Sequence, residues 1–452
     1  MPSLHWVNYV FGLRYLPGGN VVSKTLLSTA MLACKLACKL ALAEVLEYNR
    51  VRTASTPIFG GHANMSRGEK LPVMYWIYGG GFVNGECSWS SFNGTELVKI
   101  SGGRVIVVTI NYRLNAFGFL SPAQVKAGGN LNVGSLDQRA GLQWVRQHAL
   151  QFGGDPSRVT AFGESAGAIS IGYQMIANNG DQRLFHQAML FSGSALTFRC
   201  ASYLLYQPTH DAITNITGCA SSPDSLQCLR QVNATTLLAV ASKVYNSAVS
   251  NFYPVVDGTF ISETCSALLT SDRFSKIPII IGTNTNEGTK FVTQYNFTNS
   301  EQLASGLIEE DMPGLTNSSL QTILELYPEQ SNPPGAPYPE FARAANIIGD
   351  YMFICPAYTT AHDYQQFVPV YKYRFNVVAD PTLGAFHTAD LPFDFDQNAL
   401  ENFTRPVATL ADTISSYYTS FAATGNPNTF RHPGSIEWPV YSQATGYQQI
   451  VY

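Results

Sequence analysis

The sequence predicts an α/β protein with a mostly parallel central sheet and helices on both of its faces. From Leu71 onward, short runs of β-branched and aromatic residues alternate with longer amphipathic stretches, the order expected when parallel strands are joined by crossover helices. The strand candidates are residues 73–78, 105–111, 159–163, 188–191, 277–282 and 370–375. Several are apolar almost throughout, as central strands buried on both faces are. Between them, residues 138–152 and 166–177 carry helical periodicity. No internal repeat or low-complexity linker divides the chain, and Pro/Gly-rich stretches such as 332–339 read as surface loops.

Composition narrows the function. Hydrophobic residues make up 45% of the chain and aromatics 12%, enough for a sizeable core. Charged residues are only 13%, against roughly 25% in an average soluble protein, so the surface relies on Ser, Thr, Asn, Gln and Tyr. A net charge of -4 without long runs of like charge offers no basic face to nucleic acid or an acidic membrane, and no such partner is expected. The eight cysteines fit either free thiols or disulfides. Cys219 and Cys228 flank a polar stretch and are spaced to close a loop of roughly ten residues. Asn-x-Ser/Thr sequons at Asn64, Asn93, Asn215, Asn233, Asn296, Asn317 and Asn402 tilt the expectation toward secretion. Residues 1–16 nevertheless mix His, Asn, Arg and aromatics and do not read as a signal peptide. The apolar stretch 26–34 ends at Lys35, too short to span a bilayer. Cys34 and Cys38, four apart, lack the nearby His or paired Cys that a metal site needs, and neither metal nor cofactor is expected.

Chemistry enters at Gly163-Glu164-Ser165-Ala166-Gly167. A strand candidate runs into this pentapeptide and a helical stretch leaves it, so the turn between them would lift the Ser165 hydroxyl clear of the sheet. The helix opening at Ala166 would favour negative charge developing nearby. Upstream, directly after a strand, stands Tyr78-Gly79-Gly80-Gly81-Phe82, where consecutive glycines let backbone N–H groups point at a substrate oxygen. Gly80 and Gly81, with the N–H of Ala166, are the expected oxyanion hole.

In a strand–elbow–helix architecture the acid and the base follow the serine in that order. The histidines after Ser165 are His186, His210, His362, His387 and His432. The first two precede any convincing acid, His362 sits in a helical pattern, and His432 precedes a proline in a polar tail. His387 remains, in a glycine-containing loop shortly after the strand ending at Phe375. The acid expected with it is Glu287, just beyond an apolar strand, since strand-end loops collect active-site groups in such sheets. It would fix the imidazole tautomer and stabilise the imidazolium. Glu164, inside the elbow, reads as a neighbouring hydrogen-bond partner and not as the acid of the triad.

Together these pieces resemble the type-B carboxylesterase and lipase family, which includes cholinesterases and fungal secreted lipases. The resemblance also rests on Asn111-Tyr112-Arg113-Leu114, Phe117-Gly118-Phe119-Leu120, Asp137-Gln138, Gln143-Trp144-Val145 and Phe152-Gly153-Gly154-Asp155-Pro156, and covers roughly residues 71–441. It implies an α/β-hydrolase fold with residues 71–452 as the catalytic domain. It further implies a triad of Ser165, Glu287 and His387, and an oxyanion hole of Gly80, Gly81 and Ala166. An internal Arg113–Asp155 pair is implied as well, and the Cys219 to Cys228 bridge is supported. The implied activity is hydrolysis of a small-molecule or lipid ester with an uncharged acyl group, through an acyl-enzyme and without cofactor.

The sequence departs from the family in three ways. Its Glu-Asp-Cys-Leu strand motif and N-terminal disulfide loop are absent before Leu71, no strong strand is evident there, and residues 1–70 read as an atypical segment that could be incomplete. Cys34, Cys38 and Cys87 are read as remnants of that loop. Lys290 stands three residues after the acid, where many cholinesterases have an aromatic, which disfavours choline esters. The chain also stops earlier than the family usually does. The alternatives to an esterase are a non-catalytic member with a binding role, against which Ser165 and His387 both stand, and a truncated chain without activity.

Overall fold

The computed structural model describes residues 58–60, 70–129, 131–198, 200–245, 252–307, 312 and 315–452. Cys34, Cys38, Asn64 and most of the atypical N-terminal segment lie outside the described residues. Eight strands form one sheet: β1 (Ile58–Gly60), β2 (Leu71–Ile77), β3 (Ile106–Thr109), β4 (Gly154–Glu164), β5 (Gln187–Phe191), β6 (Ile279–Asn284), β7 (Val370–Phe375) and β8 (Ile450–Val451). Their order across the sheet is β1-β3-β2-β4-β5-β6-β7-β8, and every pair is parallel except β1 with β3. All six strands read from the sequence are present. β1, before Leu71, is a short strand that the sequence did not announce. With three residues on an edge, it is too short for a periodic signal.

The central strands are apolar throughout because both faces are covered. Every residue of β2, β3 and β6 is buried. The helix Ala166–Ile176 leaves the end of β4, packs on β4 and β5, and is buried along its whole length, which suits a helix apolar all round. The helix Val133–His148 packs beside it on β4. A second group, the helices Thr95–Ile100 and Arg405–Thr424, packs together and, through the latter, on β2 and β4. The longer of these starts with a proline in its first turn and stops at Gly425 with φ 76°, the usual start and stop signals.

Two long connections carry the rest. Between β5 and β6, Cys200–Cys265 and Cys219–Cys228 disulfides pin the chain, while Cys87 is a buried free thiol. Between β6 and β7, Val292, Leu303, Leu307, Phe341, Ile347 and Ile348 belong to a separate hydrophobic cluster. Arg113 does not pair with Asp155. Its guanidinium grips Asp137 with two bonds of 2.7 Å, and the backbone N–H of Arg113 adds a third at 3.0 Å. Asp155 instead accepts from Ser157 and Arg158, close enough in sequence for a local turn to satisfy it.

Candidate active site

The elbow is built by close approach. Ser165 has φ 54° and ψ -125°, a region that costs a non-glycine residue on the order of 1–3 kcal/mol. It is held there by its N–H donating to the Phe191 carbonyl at 2.9 Å and by its carbonyl accepting from Ile169. Gly167 is required, because any Cβ there would run into the Ile77 carbonyl at the end of β2. Ile77 leads directly into Tyr78 and the glycine triplet, so the contact at Gly167 sets the nucleophile loop against the oxyanion loop. A Cβ on Gly79 would lie 3.0 Å from that of Ser165.

Past Gly79 the backbone runs through three consecutive positive φ values, 101° at Gly80, 62° at Gly81 and 64° at Phe82. The Gly80 carbonyl accepts from Val83 and Asn84, and no hydrogen bond among the described residues uses the N–H of Gly80 or Gly81. Ala166 stands in the first turn of its helix, where N–H groups have no intrahelical acceptor. Aromatic side chains surround the loop: Phe82 packs on Phe119, Phe198 and Tyr253.

Glu287 and His387 meet at 2.6 Å between Oε2 and Nδ1, both buried. The loops that carry them are stitched together. Asn286 exchanges two bonds with Ala385, each 3.0 Å; Asn284 Nδ2 donates to the Phe386 carbonyl at 2.7 Å and Thr289 to the Leu383 carbonyl at 2.8 Å. The other oxygen of Glu287 accepts from Ser192 Oγ at 2.6 Å and from the Asn284 N–H at 2.7 Å. The rings of Phe291 and Phe353 lie against the imidazole with centroids at 5.0 and 4.4 Å.

Glu164 also reaches this point. Its Oε1 lies 3.3 Å from His387 Nε2, and neither atom makes a hydrogen bond. Burial pushes the Glu164 carboxyl up to about 8. On His387, burial pulls the imidazole down, but Glu164 and Glu287 outweigh it and the net direction is upward. Asp390, beneath them, is pushed up to about 6, by burial first and by Glu287 second.

The structure thus brings Glu287 and His387 into contact, and sets Ser165 and the oxyanion loop side by side at neighbouring strand ends. Sequence reasoning missed Ser192, Asn284 and Asn286, although all three follow β5 or end β6 at the same edge of the sheet, which is the signal that could have found them. It also missed the Cys200–Cys265 bridge, whose partners are 65 residues apart. Among the described residues there is no group of three or more His, Cys, Asp or Glu able to hold a metal ion.

With this geometry in place, comparison with known proteins is informative. The profile described as "Carboxylesterase family" matches residues 57–452, taking in β1 and both termini of the sheet. Secreted lipase 1 of Botryotinia fuckeliana is 35% identical over 400 residues, covering 82% of this chain and 68% of its own. Para-nitrobenzyl esterase of Bacillus subtilis is 33% identical over 393 residues, 83% of this chain and 75% of that one. The crystal structure of Aspergillus niger EstA superposes with a TM-score of 0.75 at 31% identity, covering 83% of this chain and 75% of its own. The chain belongs to the carboxylesterase family, has the α/β-hydrolase fold, and is a serine hydrolase of carboxylic esters.

Proposed function

We propose that Ser165, Glu287 and His387 form the catalytic triad, with Gly80, Gly81 and Ala166 as the oxyanion hole. The single observation that supports this most is the 2.6 Å contact of His387 Nδ1 with a carboxylate whose other oxygen is already occupied. That arrangement puts the proton of the neutral ring on Nδ1 and leaves Nε2 as acceptor. His387 takes the Ser165 proton as Oγ attacks the ester carbonyl, and the negative charge forming on the carbonyl oxygen meets the three N–H groups. The imidazolium returns the proton to the leaving alcohol, and water repeats the sequence on the acyl-enzyme.

The preferred substrate is an uncharged ester: Phe82, directly after Gly81, packs among aromatic rings, and the charge beside Thr388 is a cation. Lys290 Nζ donates to Thr388 next to His387 at 3.0 Å, which would repel a choline ester. Secretion is the second part of the reading. Disulfides, relatives whose names include secreted lipases, and the exposure of Asn93, Asn215, Asn233, Asn296, Asn317 and Asn402 in their sequons support it. Among the described residues, no helix is long and apolar enough to cross a membrane.

The test is labelling by an organophosphonate together with turnover of a short-chain nitrophenyl ester, in wild type and Ser165→Ala. Stoichiometric labelling of wild type, absent from the folded variant, is expected. Folded wild type that takes up no label would overturn the assignment of Ser165.

A further inference from the structure

A cavity of about 280 Å³ lies beside the acid loop, and neither Ser165 nor His387 lines it. β7 supplies two of its walls' cations: Lys372 and Arg374, two apart on a strand, point to the same face and both line the cavity. Lys372 is only 1% exposed. Its Nζ donates to Gln449 Oε1 at 2.9 Å and sits 3.5 Å from the centre of the Tyr358 ring. Arg374 Nε donates to Thr285 Oγ1 at 2.8 Å.

Neither cation has a carboxylate partner among the described residues. Three of the four oxygens of the two acids on the cavity wall are held by other groups. Asp350 Oδ2 accepts the Tyr327 hydroxyl at 2.6 Å, and the oxygens of Glu287 are held by Ser192, Asn284 and His387. A buried ammonium normally comes with a counter-ion, because its desolvation is otherwise uncompensated. Here burial first, and the neighbouring Arg374 second, push Lys372 down to about 7. The missing element is an anion. Arg374, Asn346 and Tyr358 are exposed at the cavity's edge, so one can enter from solvent.

We propose that this cavity binds a short-chain carboxylate, with its carboxylate group between Lys372 Nζ and the Arg374 guanidinium and its apolar body against Tyr358 and Ile354. The planar fork of Arg374 suits a carboxylate, and within a mostly polar wall Tyr358 and Ile354 give a hydrocarbon body a surface that an inorganic ion would leave uncovered. The site borders the proposed triad through Glu287, which lines the cavity, but needs neither Ser165 nor His387.

The test is calorimetric titration of the full chain with butyrate at constant ionic strength, in wild type, Lys372→Met and Arg374→Gln. Saturable binding to wild type is expected, weakened at least about tenfold in each variant, with turnover of nitrophenyl ester unchanged in both. Inorganic phosphate and chloride should fail to displace butyrate. Should Lys372→Met not fold, Arg374→Gln, altered at an exposed side chain, carries the test alone. Absence of saturable binding, equal binding in the folded variants, or displacement by phosphate at concentrations comparable to butyrate would each overturn the proposal.

Discussion

Replacing Glu287 by Gln tests the site at its most constrained point. The carboxylate serves three donors: Ser192 Oγ at 2.6 Å and the Asn284 N–H at 2.7 Å on one oxygen, and His387 Nδ1 at 2.6 Å on the other. Glutamine has one oxygen and one NH2 group. Turning the NH2 toward Ser192 and Asn284 would leave two buried donors facing a third, and each unpaired group costs about 1–3 kcal/mol. The oxygen therefore stays with that pair, and the NH2 faces Nδ1. Nδ1 must then accept, the ring proton moves to Nε2, and Nε2 no longer takes a proton from Ser165. Loss of the correct tautomer is expected to lower kcat by about 10⁴, roughly 5.5 kcal/mol of barrier. KM should change little, because Glu287 is fully buried and out of reach of substrate. Steady-state kinetics on a nitrophenyl ester, with near-ultraviolet circular dichroism as the control for folding, measure both. A folded variant within about tenfold of wild-type kcat would refute the assignment of Glu287 as the acid that sets the tautomer.

Two further outcomes follow from the same structure. Glu164→Gln removes the first of the three carboxylates that raise His387 against the downward pull of burial; a base must be neutral to act, so the acid limb of kcat/KM should move to lower pH, and an unmoved limb would mean that Glu164, itself pushed up to about 8, stays neutral while His387 titrates. Replacing both Cys200 and Cys265 by Ser opens a loop of 65 residues and should lower stability by about 2–4 kcal/mol, read as a lower midpoint in urea with little change in kcat; a midpoint equal to wild type would mean the bridge does not form in the native protein.

The sheet was legible because its strands are nearly continuous in apolar residues, and a parallel sheet covered on both faces leaves no other way to bury them. The meeting of Glu287 with His387 was legible from their order along the chain, Glu287 just beyond β6 and His387 in the loop that follows β7. What stayed hidden depends on three-dimensional pairing. Asp137 rather than Asp155 meets Arg113 because the helix Val133–His148 lies against the Arg113 loop, whereas Asp155 and Arg158, three residues apart, satisfy each other. The stitching by Asn284 and Asn286 is a matter of side-chain amides meeting backbone groups about a hundred residues away, the Phe386 carbonyl for Asn284 and the Ala385 N–H for Asn286, and an isolated Asn in a polar loop announces nothing of the kind. β1, three residues long, was too short to leave a periodic pattern.

Backbone strain is the other property that sequence conceals, and at this site it falls where the chemistry is. Phe82, Ser165, Ser192 and Thr388 all have positive φ, at 64°, 54°, 51° and 81°. None is a glycine, and for the β-branched Thr388 the conformation is a genuine outlier. Ser165 and Ser192 directly follow β4 and β5, Phe82 lies in the glycine loop after β2, and Thr388 adjoins His387, so each stands at a group proposed to act in catalysis or to support one. Such conformations persist only where the surroundings over-determine them. The hydrogen bonds that do so run into the sheet or its loops, from the Ser165 N–H to the Phe191 carbonyl at 2.9 Å and from the Ser192 N–H to the Gly282 carbonyl at 2.9 Å. Ser165 and Ser192 are therefore anchored to β5 and β6, whose own residues are paired and almost entirely buried. A rigid parallel sheet tolerates strain at its ends because its middle cannot relax to relieve it. That rigidity lets four distant segments of chain meet at one end of the sheet with their polar groups at hydrogen-bonding distance.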